Sequence, residues 1–214
     1  MYLDKKGKTE KEDVPQEEEE ETREQAATIM VAAPEIDARS IGLCGDVDEE
    51  KTAEIIGGFL ALRQSGLTLI NPDCLSQEPI EFIVSTTGGS AHDMFAIYDT
   101  MRLIKSTSEI HTVGLGKVMS SGVLLLSAGT KGRRAIGRNC RVMLHGVTGG
   151  HIGSIHNLEN EMDEIRWLQE RYIAALVEET DMTKRLLKKL IERKVNVYLT
   201  AEEAVEYGIA DEII

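Results

Sequence analysis

The chain of 214 residues is 42% hydrophobic, enough for one substantial core, and carries a formal net charge of -13. Its Lys and Arg residues are scattered among acids, which excludes the clustered cationic face that a nucleic-acid partner requires. No apolar stretch reaches the ~18 residues of a membrane-spanning helix and the first residues lack a secretory apolar segment, so a cytoplasmic protein without a membrane partner is expected.

Residues 1–26, with the run Glu17–Glu21 and almost nothing apolar, cannot bury enough surface to offset the entropy of ordering. They are expected as a disordered acidic tail: a solvated extension, a removable propeptide or a gating segment. Residues 27–214 are expected to form one domain. From Ser40, SIGLCGDVDEE is a short apolar run ended by Gly45, and Asp48 suits the N-cap of the helix TAEIIGGFLALRQSG that follows. A β-rich run from Ile80 to Ser85 then leads through a glycine turn into a helix with Met94, Ile97, Tyr98, Met101 and Ile104 at helical spacing. A third unit begins at EIHTVGLG, turns at Lys117 to Ser121 and continues through the apolar GVLLLSAG. The segment RRAIGRNCRVMLHG reads as strand material ending at His145. Repeated strand-to-helix units of this length imply parallel strands with crossover helices, an α/β fold.

After the glycine-rich TGGHIGSIHN, Leu158, Met162, Ile165, Leu168, Tyr172, Ala175 and Leu176 recur every three or four residues, which marks a long amphipathic helix. A second helix is expected over about Met182–Arg193. Near the end, Thr200 and Glu203 have capping-box spacing ahead of a short helix closing at Gly208. Cys44, Cys74 and Cys140 are widely spaced without a C-x-x-C pair, so neither a disulfide framework nor a zinc site is suggested, which fits a reducing compartment.

Three segments can carry chemistry. Gly88 and Gly89, after an apolar strand and before a helix, allow a tight turn with outward amides, usable as an oxyanion hole, a phosphate cradle or a plain turn. Ser120 and Ser121 lie at a second strand-to-helix turn, where a serine is either an exposed nucleophile or an N-cap. His145 ends a strand and serves as a general base if the fold brings it to a serine hydroxyl, and is otherwise structural. His92, His111, His151 and His156 lack metal-like partners and are assigned no role.

Taken together and in this order, these segments resemble the Clp protease proteolytic subunit family. The resemblance rests on GGSAHDMFAIYDTMRLIK, on the G-x-x-x-S-x-G run Gly116–Gly122, on RVMLHG and on LTAEEAVEYGIADEII, and covers roughly Ser40 to Ile214. It implies a fold of ClpP/crotonase-like repeated β-β-α units with a projecting handle helix, here about 149–179, formed with a glycine-rich strand. It also implies a serine endopeptidase with Ser120 as nucleophile, His145 as base, and the amides of Gly89 and Ser121 as oxyanion donors. Lys117, only three residues before the serine, is an unsuitable dyad partner. The resemblance further implies a homo-oligomer of two stacked heptameric rings that degrades unfolded polypeptide fed by an AAA+ Clp ATPase unfoldase. ATP belongs to that partner: this chain has no P-loop and is expected to need no cofactor or metal of its own.

One position departs from the family. Aligned without a gap on LTAEEAVEYG, the triad acid falls on Asn196, and nothing acidic occurs from Lys194 to Leu199. An amide oxygen can accept the imidazole N–H but supplies no charge. Two readings stay open: an active peptidase, using Asn196 or an acid recruited from elsewhere such as Glu192 or a neighbouring subunit, and a weak or silent subunit with an assembly role. A crotonase-like acyl-CoA enzyme shares the fold and the oxyanion amides but needs no Ser120–His145 pair.

Overall fold

Side chains alternate between the two faces of a strand, and in Ile80–Gly89 the residues Ile80, Phe82, Val84 and Thr86 are buried while Glu81 and Thr87 are exposed. This strand lies inside a mixed sheet in the computed structural model, which describes residues 39–214 apart from 72–73 and 192–194. The acidic tail and Glu192 lie outside the described residues.

The elements are β1 (Ser40–Val47), α1 (Glu49–Ser65), β2 (Leu67–Asn71), β3 (Cys74–Gln77), β4 (Ile80–Gly89), α2 (Ala91–Lys105), β5 (Ile110–Met119) and α3 (Ser121–Ser127). They continue with β6 (Arg134–Ile136), β7 (Arg141–Leu144), α4 (Ile155–Glu179), α5 (Lys184–Ile191), β8 (Val197–Leu199), α6 (Ala201–Glu206) and β9 (Glu212–Ile213). The main sheet runs β1-β4-β5-β6-β9, all neighbours parallel, as the crossover helices require. The chain is thus α/β, as expected.

What positions the site is a fork at β5. Its first half pairs with β6 (Thr112–Gly114 against Arg134–Ile136), and its second half pairs with β7 (Lys117–Met119 against Arg141–Met143). Between the halves Gly116 takes φ 66°, a left-handed conformation that glycine adopts without steric cost. β7 in turn pairs antiparallel with β8, so β7 and β8 form a small wing beside the main sheet. Met119 and Met143 are cross-strand partners; β5 ends at Met119 and β7 one residue past Met143. The next residue after Met119 is Ser120, and the second after Met143 is His145.

Helices cover the sheet. Ile55 and Phe59 of α1 pack with Met94, Ile97, Met101 and Ile104 of α2, and the Phe59 and Phe82 rings meet edge to face at 5.2 Å. α3 is buried on every side, which its run Val123–Leu126 allows. α4 is about 37 Å long at the helical rise. Its second half buries Leu168, Tyr172, Ile173 and Leu176, whereas its first half leaves Ile155, Leu158 and Met162 exposed and so extends past the core.

Asp48 caps α1 through Lys51 N, and Thr200 with Glu203 forms the expected capping box. Three local expectations are corrected. β1 does not end at Gly45 but continues to Val47 across a register shift. Gly88 and Gly89 are not a turn: β4 runs through them, paired with Asp46 and Val47, and Ser90 caps α2. The strand material expected over 133–145 is present as two strands on different halves of β5. The glycine-rich segment 149–154 is not a strand: it pairs with none of the described strands.

The C-terminal strand is anchored by a buried ion pair. The Arg134 guanidinium, 5% exposed, donates from Nε and Nη2 to the Asp211 carboxylate at 2.9 and 2.5 Å. Its Nη1 also donates to the carbonyl oxygens of Ser127 and Glu179. Burial pushes the Asp211 carboxyl up, but hydrogen bonds from the Arg134 side chain and from the amides of Arg134 and Gly132 outweigh it and hold the carboxyl below its usual range.

Candidate active site

Ser120 follows β5 with φ 54° and ψ -120°, and among the described residues it is the one non-glycine with a positive φ. A side chain held there costs on the order of 1–3 kcal/mol, which the surroundings must over-determine. They do so here. The Ser120 N–H donates to the Met143 carbonyl at 2.8 Å, and its own carbonyl accepts from Val123 N at 3.0 Å and from the Tyr172 hydroxyl at 2.9 Å. The conformation lifts the hydroxyl off the strand-to-helix junction and rules out a capping role, since the Ser120 side chain makes no cap hydrogen bond.

The Ser120 Oγ lies 2.8 Å from His145 Nε2. With the imidazole proton on Nδ1, Nε2 accepts the serine proton, the tautomer a general base requires. Ser121, by contrast, is the first residue of α3, 4% exposed, and its Oγ has no partner among the described residues. The histidine is therefore bonded to Ser120 and not to its neighbour.

Across the cleft, Gly88 leaves room that no side chain could share: a Cβ there would fall 2.5 Å from Ser120 Cβ. A Cβ on Gly89 would fall 2.1 Å from the Val47 carbonyl oxygen. Gly89, Ser120, Ser121, His145 and Tyr172 share one cavity of about 320 Å³, whose other walls include Ala91, Met94 and Val147. The cavity suits an acyl group, since its lining combines apolar side chains with the serine hydroxyl and the imidazole.

Asn196 is exposed just before β8 and lines a second cavity, of about 470 Å³, together with His145, Gln169 and Ile191. It shares that cavity with His145 without bonding it: among the described residues His145 Nδ1 has no hydrogen-bond partner. Lys117 lines neither cavity and stands opposite Arg141 in the ladder. His92, His111 and His156 pair with Glu164, Glu109 and Glu159 elsewhere. Among the described residues no group of three or more His, Cys, Asp or Glu side chains is placed to hold a metal ion. No described helix is long and apolar enough to cross a membrane.

Tyr172 is the site residue that sequence reasoning missed. It occupies a regular position in the apolar stripe of α4 and reads as core. The available signal is chemical: a buried tyrosine hydroxyl needs a partner, and an aliphatic residue would have filled the position without one.

The family profile described as Clp protease matches residues 21–214. The chain is 35% identical over 176 residues to the ATP-dependent Clp protease proteolytic subunit 1 of Prochlorococcus marinus strain MIT 9312, covering 82% of this chain and 84% of the relative. It is 37% identical over 138 residues to the protein of the same name from Prochlorococcus marinus subsp. pastoris, covering 64% and 68%. A serine strained at the end of one strand and a histidine at the end of a strand paired with it thus occur in a chain that matches one family nearly throughout, and the chain belongs to the Clp protease family of peptidases.

Proposed function

We propose that the protein is the proteolytic subunit of an ATP-dependent Clp protease and cleaves peptide bonds by serine catalysis. The observation that carries this reading is the 2.8 Å approach of His145 Nε2 to Ser120 Oγ at a residue held in a strained elbow. Ser120 Oγ attacks the scissile carbonyl carbon while His145 takes the hydroxyl proton. The resulting oxyanion is met by the amides of Gly89 and Ser121. Collapse of the tetrahedral adduct breaks the C–N bond, and the leaving amine takes the proton from His145. Water, deprotonated by the same imidazole, then releases the acyl group and restores Ser120. No metal or cofactor enters this sequence.

Substrate selection in this scheme is loose. An extended polypeptide bonded through its main chain along the glycine end of β4 is read little by side chain. The exposed apolar residues on the first half of α4 support assembly through that helix, and we propose two stacked heptameric rings enclosing a chamber fed by an AAA+ Clp ATPase. Cysteine usage supports a reducing cytoplasm.

The direct test is labelling by a fluorophosphonate, which reacts with an activated serine. Wild type is expected to be labelled at Ser120 and Ser120→Ala not at all; absence of labelling in wild type would sink the reading. Native mass in solution tests the rings, and a monomer would overturn them. Ser121→Ala is expected to leave peptide turnover within about twofold and stability unchanged or slightly higher, because only its amide acts and its buried hydroxyl is unpartnered. For the group behind His145, Asn196→Ala and Glu192→Gln are compared by kcat on a peptide substrate. The partner of the imidazole is the residue whose loss costs about 10²–10⁴-fold, the range bounded by replacing a triad acid.

A further inference from the structure

We infer that Tyr172 is a positioning residue for the oxyanion site: its phenol holds the carbonyl of Ser120 and thereby aims the N–H of Ser121 into the cavity. The inference rests on the peptidase reading above and adds to it a residue on a different element, α4.

The argument starts from the peptide plane. In a trans peptide the C=O of one residue and the N–H of the next lie in one plane and point in opposite directions. The direction of the Ser121 N–H is therefore set by where the Ser120 carbonyl is held. That carbonyl accepts two hydrogen bonds, from Val123 N at 3.0 Å and from Tyr172 Oη–H at 2.9 Å, which occupies both of its lone pairs. The Val123 bond is local to the turn and moves with it. The tyrosine bond is not: it joins residues 52 apart in sequence and ties the turn to the buried half of a 25-residue helix.

The local backbone makes this tie consequential. At φ 54° and ψ -120° Ser120 sits outside the regions non-glycine residues favour, and such a residue relaxes most cheaply by rotating the peptide plane that follows it. That is the plane whose N–H is the oxyanion donor. Rotation swings the donor off line while leaving Ser120 Oγ and His145 nearly in place, so the nucleophile alone does not protect the geometry. Tyr172 opposes the rotation. The residue is 4% exposed although it borders the catalytic cavity, and burial pushes its pKa up, which keeps the hydroxyl protonated and a donor at neutral pH.

Tyr172→Phe keeps the ring and removes this one bond. Measured on a short fluorogenic peptide, kcat is expected to fall about 10–50-fold with KM within twofold, less than the 10²–10³-fold lost when an oxyanion donor is removed outright. Binding of a peptide aldehyde, whose hemiacetal oxygen occupies the oxyanion site, is expected to weaken by the same factor. Tyr98→Phe is the control: Tyr98 is equally buried, bonds Glu179 and stands outside the catalytic cavity, and kcat is expected to stay within twofold. All values are taken on the assembled fraction isolated by size. A Tyr172→Phe kcat within twofold of wild type overturns the inference, as does a kcat loss without a matching loss of aldehyde affinity, which would mark a packing role. Failure of the underlying reading looks different, since wild type itself would then neither cleave the peptide nor take the fluorophosphonate.

Discussion

Ser120→Ala is expected to lower kcat on a fluorogenic peptide by about 10⁵-fold or more, and adding His145→Ala to cost little further, because a nucleophile and its base act as one unit. The structure gives the reason for both halves. The Ser120 hydroxyl is the group bonded to His145, and the neighbouring Ser121 hydroxyl is buried and has no partner among the described residues, so it is not placed to take over. Alanine keeps the strained backbone and its three main-chain hydrogen bonds, so thermal stability and native mass should be close to wild type. Multiplicative losses in the double variant would contradict the pairing, and a comparable loss from Ser121→Ala would move the nucleophile by one residue.

The largest expected effect on stability is at the other end of the sheet. Arg134→Met is expected to destabilise the fold by about 2–3 kcal/mol in denaturant unfolding of the dissociated chain. Removing one partner of a fully buried pair typically costs about 3–5 kcal/mol, and the figure is reduced here because Asp211 remains 23% exposed. The loss has three parts: a carboxylate deprived of its counter-charge and left to two main-chain amides, and the orphaned carbonyls of Ser127 and Glu179. Acid dependence separates the first from the others. The folded-state pKa of Asp211 lies below its unfolded value, so its contribution is present above the unfolded value near 4 and is lost as pH falls through the folded one. Asp211→Asn should therefore destabilise at neutral pH and flatten the acid limb of the stability curve. A variant that kept the wild-type acid slope would show that the pair carries no linkage.

Much of this molecule could be read from local chemistry. The Asp48 cap, the Thr200–Glu203 capping box and the stripe of α4 are signals spanning a few residues, and each was found where its spacing put it. Ser120 and His145 were legible for the same reason, each ending an apolar run. What escaped depends on partners far along the chain. Glycines 88 and 89 look like a turn until β1 is laid beside them, and the hairpin of β2 and β3 carries no periodicity strong enough to stand out. The fork of β5 is invisible locally, because β6 and β7 compete for the same edge and only the bend at Gly116 lets both pair. Tyr172 hid in plain periodicity: a helix stripe reports which face is inward and not what a hydroxyl on that face will find.

The fork has a thermodynamic side. The wing that brings His145 to Ser120 is joined to β5 through three residue pairs, Lys117 with Arg141, Val118 with Val142 and Met119 with Met143, while the β1-β4-β5 centre of the main sheet is held by much longer ladders. Free energies of opening differ between such units within one protein. The wing is expected to open at lower free energy than that centre, so amide exchange at Val142 and Leu144 should outpace that at Phe82 and Val84, and peptidase competence should fade on warming before the centre of the sheet melts.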